Sequence, residues 1–332
     1  MASYKNKLGK KILIMTTATM KYYFTRTPVN RVVQKFYIGS TYGYALQLNN
    51  PSGSNDPTPN VVLSRGLLPT DGTKEIRLTD YMYLNNFGHG QTLEFFNWNG
   101  QDYFWIATNA ADQVNANEYW STQIGRVTFQ SNTTIDYKDI KRLSSISSAN
   151  KNGTPAFKLA RADAALSSTP TANRTDNGKQ RILLMSSDST NADGTYQLTA
   201  YNSDTINTKL DQSSTNYLGC DKLTSSVVST YKIKNKQDKF VIPNGSWQGL
   251  EFADNNMVYI SGGQKGDTPK VIRGNWRFTQ AKTVSLSGFS DTANVETEGI
   301  QLKGSQVLIG LEFHGGSDTP HTVYSFDKSA FD

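Results

Sequence analysis

Acidic and amide side chains recur at matching places in a repeated strand motif, and they are the side chains best suited to bind or cleave a polar ligand. Each motif is a short strand, a turn rich in Asn, Asp or Gly, and a second, more apolar strand. The first strands begin with Gln91, Asp163, Gln248 and Glu298. Three residues farther on, three of the copies carry Glu94, Glu251 and Gln301.

If the first strands line a common axis, these side chains form a polar ring. A strand alternates its side chains between two faces, so positions i and i+3 share a face only where a bulge inserts a residue. One interpretation is a ring that binds a sugar, a cation or water. The other is structural, since closely packed inner strands use such groups to complete one another's hydrogen bonds.

Three of the acids also fit glycoside hydrolysis. Glycosidases use two carboxyl groups, about 5 Å apart in retaining enzymes and about 6.5–9.5 Å apart in inverting ones. Asp163, Glu251 and Glu298 come from different copies of the motif and would converge around an axis. Many β-proteins contain as many acids, so we predict a protein without catalytic residues and keep these three acids as the enzymatic alternative.

Aromatic and histidine side chains add candidate binding residues. Aromatic faces stack on sugar rings, so Trp98 at a turn and Trp247 beside an inner strand are expected to contact a ligand. Trp105 and Trp120 are expected in the core, and His89, between two glycines, suits a pocket rim. The predicted ligand-binding residues are His89, Gln91, Glu94, Trp98, Trp247, Gln248 and Glu298.

Metal and cofactor sites are not predicted. His89, His314 and His321 are too scattered for a zinc-binding helix motif. Cys220 is the single cysteine of the sequence, which excludes an intramolecular disulfide and a multi-cysteine metal site.

The repeat also predicts the fold. The copies begin near residues 34, 91, 163, 248 and 298, and each hairpin needs a neighbour to cover its apolar face. Ser, Thr, Asn and Gly are abundant and helical periodicity is scarce, apart from one short helix over residues 204–210 with Ser203 or Asp204 as its cap. We predict an all-β, five-bladed β-propeller, a single domain over residues 1–332, whose residues 1–30 complete the last blade and close the ring.

The formal net charge of +6 favours anionic partners such as an acidic wall polymer. Nucleic acid is not a predicted partner, because the sequence lacks zinc-finger spacing, a basic heptad helix and an aromatic RNA-binding strand. The apolar stretch at residues 12–15 is far shorter than the roughly 20 residues of a membrane helix, and it forms no convincing signal peptide. The sequence predicts no oligomeric state.

Set side by side, the motifs resemble the helveticin J family of large bacteriocins from lactic-acid bacteria. The resemblance covers almost the full length in order, except for the N-terminal residues 1–30, and is carried by residues 33–48, 89–95, 120–127, 204–211, 248–261 and 295–301. It implies a released antibacterial protein that acts on related bacteria. It does not imply a molecular mechanism.

These features predict a secreted or cell-surface-associated antibacterial protein that binds a cell-envelope glycan or an anionic wall polymer. Two alternatives remain open. One is a glycoside hydrolase that cuts wall polymer with axial carboxylates, and the other is a surface-layer-associated adhesin or lectin that does not kill. Release of reducing sugar would support the first, and failure to inhibit growth would support the second.

Overall fold

The computed structural model describes residues 14–49, 60–110, 119–167, 180–188, 194–234, 242–315 and 321–332. The part of the predicted closing segment that falls on residues 1–13 lies outside these ranges. Within them the chain forms five sheets arranged as the blades of a β-propeller, which confirms the predicted fold class.

Twenty-four strands build the five blades. Two strands precede the first blade, namely β1 (Ile14–Thr17) and β2 (Thr19–Thr25). The next strands are β3 (Val33–Ile38), β4 (Tyr42–Leu48), β5 (Val61–Leu67), β6 (Glu75–Arg77) and β7 (Asp80–Asn85). They are followed by β8 (Leu93–Trp98), β9 (Gln101–Ala110), β10 (Ser121–Val127), β11 (Thr134–Asp136) and β12 (Arg142–Ser144).

The second half of the chain continues the pattern with one α-helix. Its first elements are β13 (Leu159–Leu166), β14 (Arg181–Asp188), β15 (Thr195–Asn202), α1 (Ser203–Gln212), β16 (Tyr217–Gly219) and β17 (Val227–Lys234). The last strands are β18 (Gly249–Phe252), β19 (Val258–Gly262), β20 (Lys270–Gly274), β21 (Ala281–Ser287), β22 (Val295–Lys303), β23 (Gln306–Phe313) and β24 (His321–Asp327). Short 3₁₀ turns lie at Tyr137–Asp139, Ile146–Ser148, Cys220–Lys222, Thr224–Ser226, Pro243–Gly245 and Lys328–Phe331.

Helix α1 confirms the one predicted helix but begins with a different cap. The Asn202 side chain accepts a hydrogen bond from the Thr205 N–H at 3.0 Å, so Asn202 caps the helix rather than Ser203 or Asp204. An asparagine in extended conformation before the first turn is among the best N-cap residues.

The innermost strands β3, β8, β13, β18 and β22 close a ring, because each contacts the next and β22 contacts β3. The N-terminal strand completes this closure, as predicted. Strand β2 pairs antiparallel with β24 and is the fourth strand of blade 5. A ring closed by strands from both ends of the described chain leaves no gap between the first and last blades.

Strand β1 does not join the last blade, although the sequence analysis assigned all of residues 1–30 to it. It pairs in parallel with β21 of blade 4, with Ile14 opposite Val284. The chain crosses between blades at Ala18, which is buried and donates its N–H to the Ser287 carbonyl at 2.8 Å.

Strand β1 is one of four strands that bind a blade to its neighbour at the outer rim. Strands β6, β11 and β16 each lie in the connection between the third and fourth strands of one blade. Each of them pairs in parallel with the outermost main strand of the preceding blade. Strand β17 of blade 3 has no such addition within the described ranges. These additions cover four sheet edges that would otherwise present unpaired backbone groups.

Apolar side chains pack mainly between consecutive blades. Between blades 2 and 3, Phe96 stacks on Trp105 with ring centroids 5.0 Å apart, and Ala162 and Leu184 belong to the same cluster. Trp105 is fully buried, as expected from the sequence. A single blade could not cover these side chains, so the core and the circular arrangement depend on each other.

Candidate binding site on the propeller axis

Two layers of polar side chains reach the propeller axis, and irregular backbone makes this possible. Register shifts interrupt the inner strands β3, β13 and β22. In blades 2 and 4, Gln91 and Gln248 precede the regular strand instead. The strict alternation that would send positions i and i+3 to opposite faces therefore does not hold here.

The first layer takes one side chain from every blade and is called the axial ring: Gln34, Gln91, Asp163, Gln248 and Glu298. Gln91 is its centre, donating from Nε2 to the side-chain oxygens of Gln34 at 3.2 Å and Gln248 at 3.0 Å. Gln34 donates a long hydrogen bond of 3.5 Å to Oε1 of Glu298. The ring is thus a connected hydrogen-bond network rather than five separate groups.

Arg161 joins blade 3 to this network and is held on all sides. Its guanidinium carbon lies 4.1 Å from the ring centroids of both Trp120 and Trp247. Its Nε and Nη2 donate to Asp163 at 2.9 and 2.7 Å, Nη1 donates to the Trp247 carbonyl, and Nη2 also donates to Gln91. Burial lowers the pKa of Arg161, and Asp163 opposes that effect. Four of the five guanidinium N–H groups therefore have protein acceptors.

A cavity of about 1190 Å³ opens above this layer. Gln34, Gln248 and Glu298 of the axial ring line it, together with Arg161. Arg31 and His89 line it as well. The wall formed by blade 5 carries a set of charged or titratable groups, which we call the acidic wall: Glu296, Glu298, Glu312, His314 and His321.

Two members of the acidic wall are paired with histidines. Glu296 contacts Nε2 of His314 at 2.7 Å, and Glu312 contacts Nδ1 of His321 at 2.5 Å. Glu312 also accepts a hydrogen bond from the Val33 N–H at 3.2 Å, which joins blade 5 to blade 1. These carboxylates are therefore fixed in position at the side of the cavity.

Glu298 is the unpaired member of the acidic wall. Its side chain lines the cavity and the residue is 2% exposed, yet its Oε2 has no hydrogen-bond partner among the described residues. Burial, with the nearby charges of Glu296 and Glu312, raises the pKa of Glu298 well above its ordinary value, and Arg161 opposes this shift. The surroundings of Glu298 thus favour its uncharged form more than water does, and Oε2 is available to a ligand.

The second layer is an ionic cluster that we call the axial plug: Lys35, Glu94 and Glu251. Nζ of Lys35 lies 3.0 Å from Glu94 and 2.9 Å from Glu251, and it donates to the Ile300 carbonyl at 2.7 Å. Burial disfavours the lysine charge, but the two glutamates more than offset it and raise the pKa of Lys35. Burial and the Glu251 charge hold the pKa of Glu94 well above its ordinary value.

Side chains at the level of the second layer also form hydrogen bonds between neighbouring blades. Glu94 accepts a hydrogen bond from the Leu166 N–H, and Glu251 accepts one from the Leu302 N–H, both at 3.3 Å. Gln301 accepts from the Ile38 N–H at 2.8 Å and donates to its carbonyl. These repeated positions are therefore structural. A second cavity of about 330 Å³ lies beside the plug and shares no lining residue with the first.

The structure divides the predicted binding residues into three groups. His89, Trp247, Gln248 and Glu298 line the large cavity. Gln91 is 2% exposed within the network, and Glu94 belongs to the axial plug. Trp98 lies outside both axial cavities, because its Nε1 donates to Asp211 beside helix α1 at 2.7 Å.

The three acids of the enzymatic alternative do not meet in one cavity. Glu298 lines the large cavity and Glu251 lines the small one. Asp163 is 3% exposed and bound to Arg161. The inner strands do bring acids to the axis, but at different depths, so a pair drawn from these three cannot flank one ligand bond.

Several cavity residues were missed by sequence reasoning. Trp120 was expected in the core but lines the cavity, with its ring centroid 4.3 Å from that of His89. The glycines that flank His89 have φ values of 85° and 86°, a left-handed conformation that glycine adopts without strain and that shapes this loop. Glu296 was recoverable from sequence because it lies two positions from Glu298 on the same strand. Glu312 and the two wall histidines have no repeated counterpart.

Metal and thiol chemistry find little support in the described ranges. There, no group of three or more His, Cys, Asp or Glu side chains is placed to hold a metal ion. Cys220 is fully buried, and burial raises the pKa of its thiol to about 12. A thiol with that pKa is protonated at neutral pH and is a poor nucleophile. None of the described helices is both long and apolar enough to cross a membrane.

A family model described as bacteriocin helveticin-J matches residues 14–326, nearly the whole chain. The match includes all five inner strands and both polar layers. A comparison with curated proteins gave no match.

Solved structures resemble the chain only distantly. The polysaccharide lyase Uly1 is 6% identical, with coverage of 92% of this chain and 91% of the other and a TM-score of 0.36. A mutant of the Cellvibrio cellulosa alpha-L-arabinanase is 13% identical, with coverages of 74% and 75% and a TM-score of 0.32. The extracellular domains 1-2 of Drosophila semaphorin 1b are 8% identical, with a TM-score of 0.31; 88% of this chain matches 63% of that one. At these TM-scores the likenesses carry no argument about function.

Proposed function

Because the chain belongs to the bacteriocin helveticin-J family, we propose that it is a secreted antibacterial protein that binds an envelope glycan of related bacteria in its axial cavity. One observation supports the site above all: the axial ring brings one polar side chain from each blade to a single network at the cavity. Sugars present donors and acceptors together, and the amide and carboxyl groups of this network offer both.

The size of the cavity fits an oligosaccharide better than a single sugar. Its volume of about 1190 Å³ exceeds that of most small-molecule pockets, which are roughly 300–1,000 Å³. The two tryptophans at Arg161 form part of the wall rather than an open stacking platform, since Trp247 is 6% exposed. Recognition in this proposal therefore depends mainly on hydrogen bonds and charge.

The net charge of the chain supports a separate, less selective step. With a formal charge of +6, the protein accumulates at an anionic cell wall before the cavity engages its ligand. Binding by this step weakens as salt concentration rises. Binding in the cavity is buried from solvent and is expected to depend less on salt.

The test combines wall binding with growth inhibition. Asn30 is exposed at the cavity rim, and Asn30→Trp narrows the opening. We expect this variant to lose wall binding and inhibition by about tenfold or more, equivalent to roughly 1.4 kcal/mol. Asn152→Trp, at an exposed loop residue that lines none of the three cavities described, is the matched control.

The outcomes separate the proposal from its rivals. If Asn30→Trp binds and inhibits like the unmodified protein, the axial cavity is not the binding site. Wall binding without any growth inhibition would assign the protein as a non-killing adhesin or lectin. Loss of both activities in the control variant as well would point to a general effect of added tryptophan.

Glycan hydrolysis is a second candidate function, and one observation favours it. Burial and the nearby charges of Glu296 and Glu312 raise the pKa of Glu298, and all three residues line the cavity. A glycosidase uses a carboxyl group with a raised pKa as its acid, beside a second carboxyl group that acts as base or nucleophile. The candidate acids of this second function are therefore Glu298, Glu296 and Glu312, rather than Glu298 with Asp163 or Glu251 as expected from the sequence. Release of reducing ends from isolated walls, abolished by Glu298→Gln, would establish it.

A further inference from the structure

The ligand group that reaches the deepest part of the cavity is constrained by which protein groups remain available there. The guanidinium of Arg161 is committed to Asp163, Gln91 and the Trp247 carbonyl. It is also covered on two sides by aromatic rings, and Arg161 is 6% exposed. An anionic group of a ligand would therefore find a single N–H group of this residue without an acceptor among the described residues.

The opposite side of the cavity presents the reverse situation. Oε2 of Glu298 is buried, belongs to a residue that lines the cavity, and has no hydrogen-bond donor among the described residues. Glu296 and Glu312 stand close enough for their charges to act on Glu298, and both line the same cavity. A buried oxygen without a donor is costly, so the ligand is expected to bring a hydrogen-bond donor to it.

A positively charged donor fits this wall better than a neutral one. A hydroxyl group satisfies one oxygen and leaves the carboxylates around it uncompensated. An ammonium group donates three hydrogen bonds and also compensates negative charge. The acidic wall thus selects a cation small enough to enter beside Gln34.

We propose that the axial cavity recognises a primary ammonium group carried by the envelope glycan, bound at the free oxygen of Glu298 between Glu296 and Glu312. The inference rests on the glycan binding proposed above and adds the chemical class of the ligand. Two sources share this chemistry: an amino sugar with an unsubstituted amine, and an aminoacyl ester on a sugar or polyol. An unsubstituted anionic wall polymer is not the cavity ligand in this account.

Calorimetry of the full chain with matched ligands tests the proposal. The probes are glucosamine oligomers, N-acetylglucosamine oligomers of the same length and linkage, and alanine methyl ester. We expect the free amine to bind at least about tenfold more tightly than its N-acetylated counterpart, as for a hydrogen bond between charged groups. Binding of the ester without the sugar would assign the aminoacyl source, and binding of the amino sugar alone would assign the other.

Variants locate the contact. Glu298→Gln keeps the shape of the side chain and is expected to remove the preference for the amine. Asp139→Asn removes one exposed carboxylate outside the cavity and should leave the preference unchanged. Should Glu298→Gln fail to fold, Glu296→Gln, at a side chain that is 21% exposed, is expected to reduce the preference as well.

Proton release gives an independent readout. The pKa of Glu298 is raised by burial, and a bound ammonium group favours its ionised form, so binding is expected to release protons and the binding enthalpy to depend on the ionisation enthalpy of the buffer. The charged or titratable groups that line the cavity with Glu298 come from several elements: Glu296 on its own strand, Glu312, His314, His321 and Tyr23 from the rest of blade 5, Arg161 from blade 3, and Arg31 and His89 from the segments before strands β3 and β8. Buffer dependence that persists in Glu298→Gln would assign the proton to one of these groups and overturn the role given to Glu298.

Failure of this inference differs from failure of the proposed function. If cell walls and N-acetylated oligomers bind in the cavity as tightly as the free amine, the ammonium proposal is wrong and glycan binding stands. If neither walls nor any oligomer binds, both are wrong.

Discussion

The axial plug offers the sharpest test of how the ring is held together. Lys35 is 1% exposed and forms ion pairs with both Glu94 and Glu251, while Lys328 lines the small cavity beside them. Lys35 also donates to the carbonyls of Leu250 at 3.4 Å and Ile300 at 2.7 Å. Lys35→Met keeps most of the apolar stem and removes the charge and all four contacts.

The magnitude follows from what the substitution leaves behind. Removing one partner of a buried ion pair costs about 3–5 kcal/mol, because the remaining charge stays in the interior without compensation. A domain of ordinary stability has only about 5–15 kcal/mol to lose. We therefore expect Lys35→Met to lower the free energy of unfolding by about 3–5 kcal/mol and to leave a folded but much less stable protein.

Urea unfolding followed by tryptophan fluorescence measures this loss. The control is the triple variant Lys35→Met, Glu94→Gln, Glu251→Gln, which replaces the ions by neutral groups of similar volume. Such replacements are often close to neutral, so the triple variant should recover most of the lost stability. A loss below about 1 kcal/mol in the single variant, or no recovery in the triple variant, would refute the assignment of the plug as an ionic lock.

The pH dependence of the stability of Lys35→Met provides a second check that the loss of the lysine charge causes the destabilisation. Without Lys35, Glu94 loses a contact that favours its charged form, so burial makes it take up a proton more readily in the folded protein than in the unfolded chain. Stability from that uptake is present at low pH and is lost as pH rises. The difference between variant and unmodified protein should therefore shrink on acidification.

Two further predictions concern the other polar groups. The pKa of Glu298 is raised from 4.5, so its contribution to stability is fully present below pH 4.5 and is lost as pH rises. Glu298→Gln, which cannot ionise, should therefore raise the urea midpoint at neutral pH and change it little below pH 4.5. Equal midpoints of variant and unmodified protein at neutral pH would contradict the raised pKa. Gln301→Ala removes both hydrogen bonds to Ile38 and should cost about 1–3 kcal/mol in the same assay. Gln306→Ala, at an exposed hydrogen bond, should cost less than about 0.5 kcal/mol, and similar losses in the two variants would exclude a special role for the contact between blades 5 and 1.

The architecture was predictable because each hairpin leaves one apolar face uncovered and the chain repeats it. The inner strands begin at residues 33, 93, 159, 249 and 295. The outer additions were not predictable. Strands β6, β11 and β16 are three residues long, too short for an alternation pattern, and their partners belong to other blades.

The positions of the polar groups along the axis depend on local irregularities that the strand pattern indicates only weakly. A register shift between Thr297 and Ile300 changes which side chains share a face, and Gly299 inside this strand is the single sequence signal of the bulge. The expectation that Trp120 lies in the core was wrong, because this residue lines the cavity. Trp98 at a turn finds an acceptor in Asp211, 113 residues away in sequence, whereas Trp120 faces Arg161 at the cavity.

The difference between the two polar layers explains why repetition is a poor guide to binding residues in this ring. Positions that repeat, such as Glu94 and Gln301, perform the same task in several blades, because every inner strand has the same backbone groups to pair with its neighbour. A ligand without rotational symmetry needs the opposite, namely groups that differ from blade to blade. The cavity has them in Arg161 on blade 3 and in Glu296, Glu312, His314 and His321 on blade 5. Charge is thereby distributed unevenly around the opening, and the glycan proposed above is expected to bind there in one orientation.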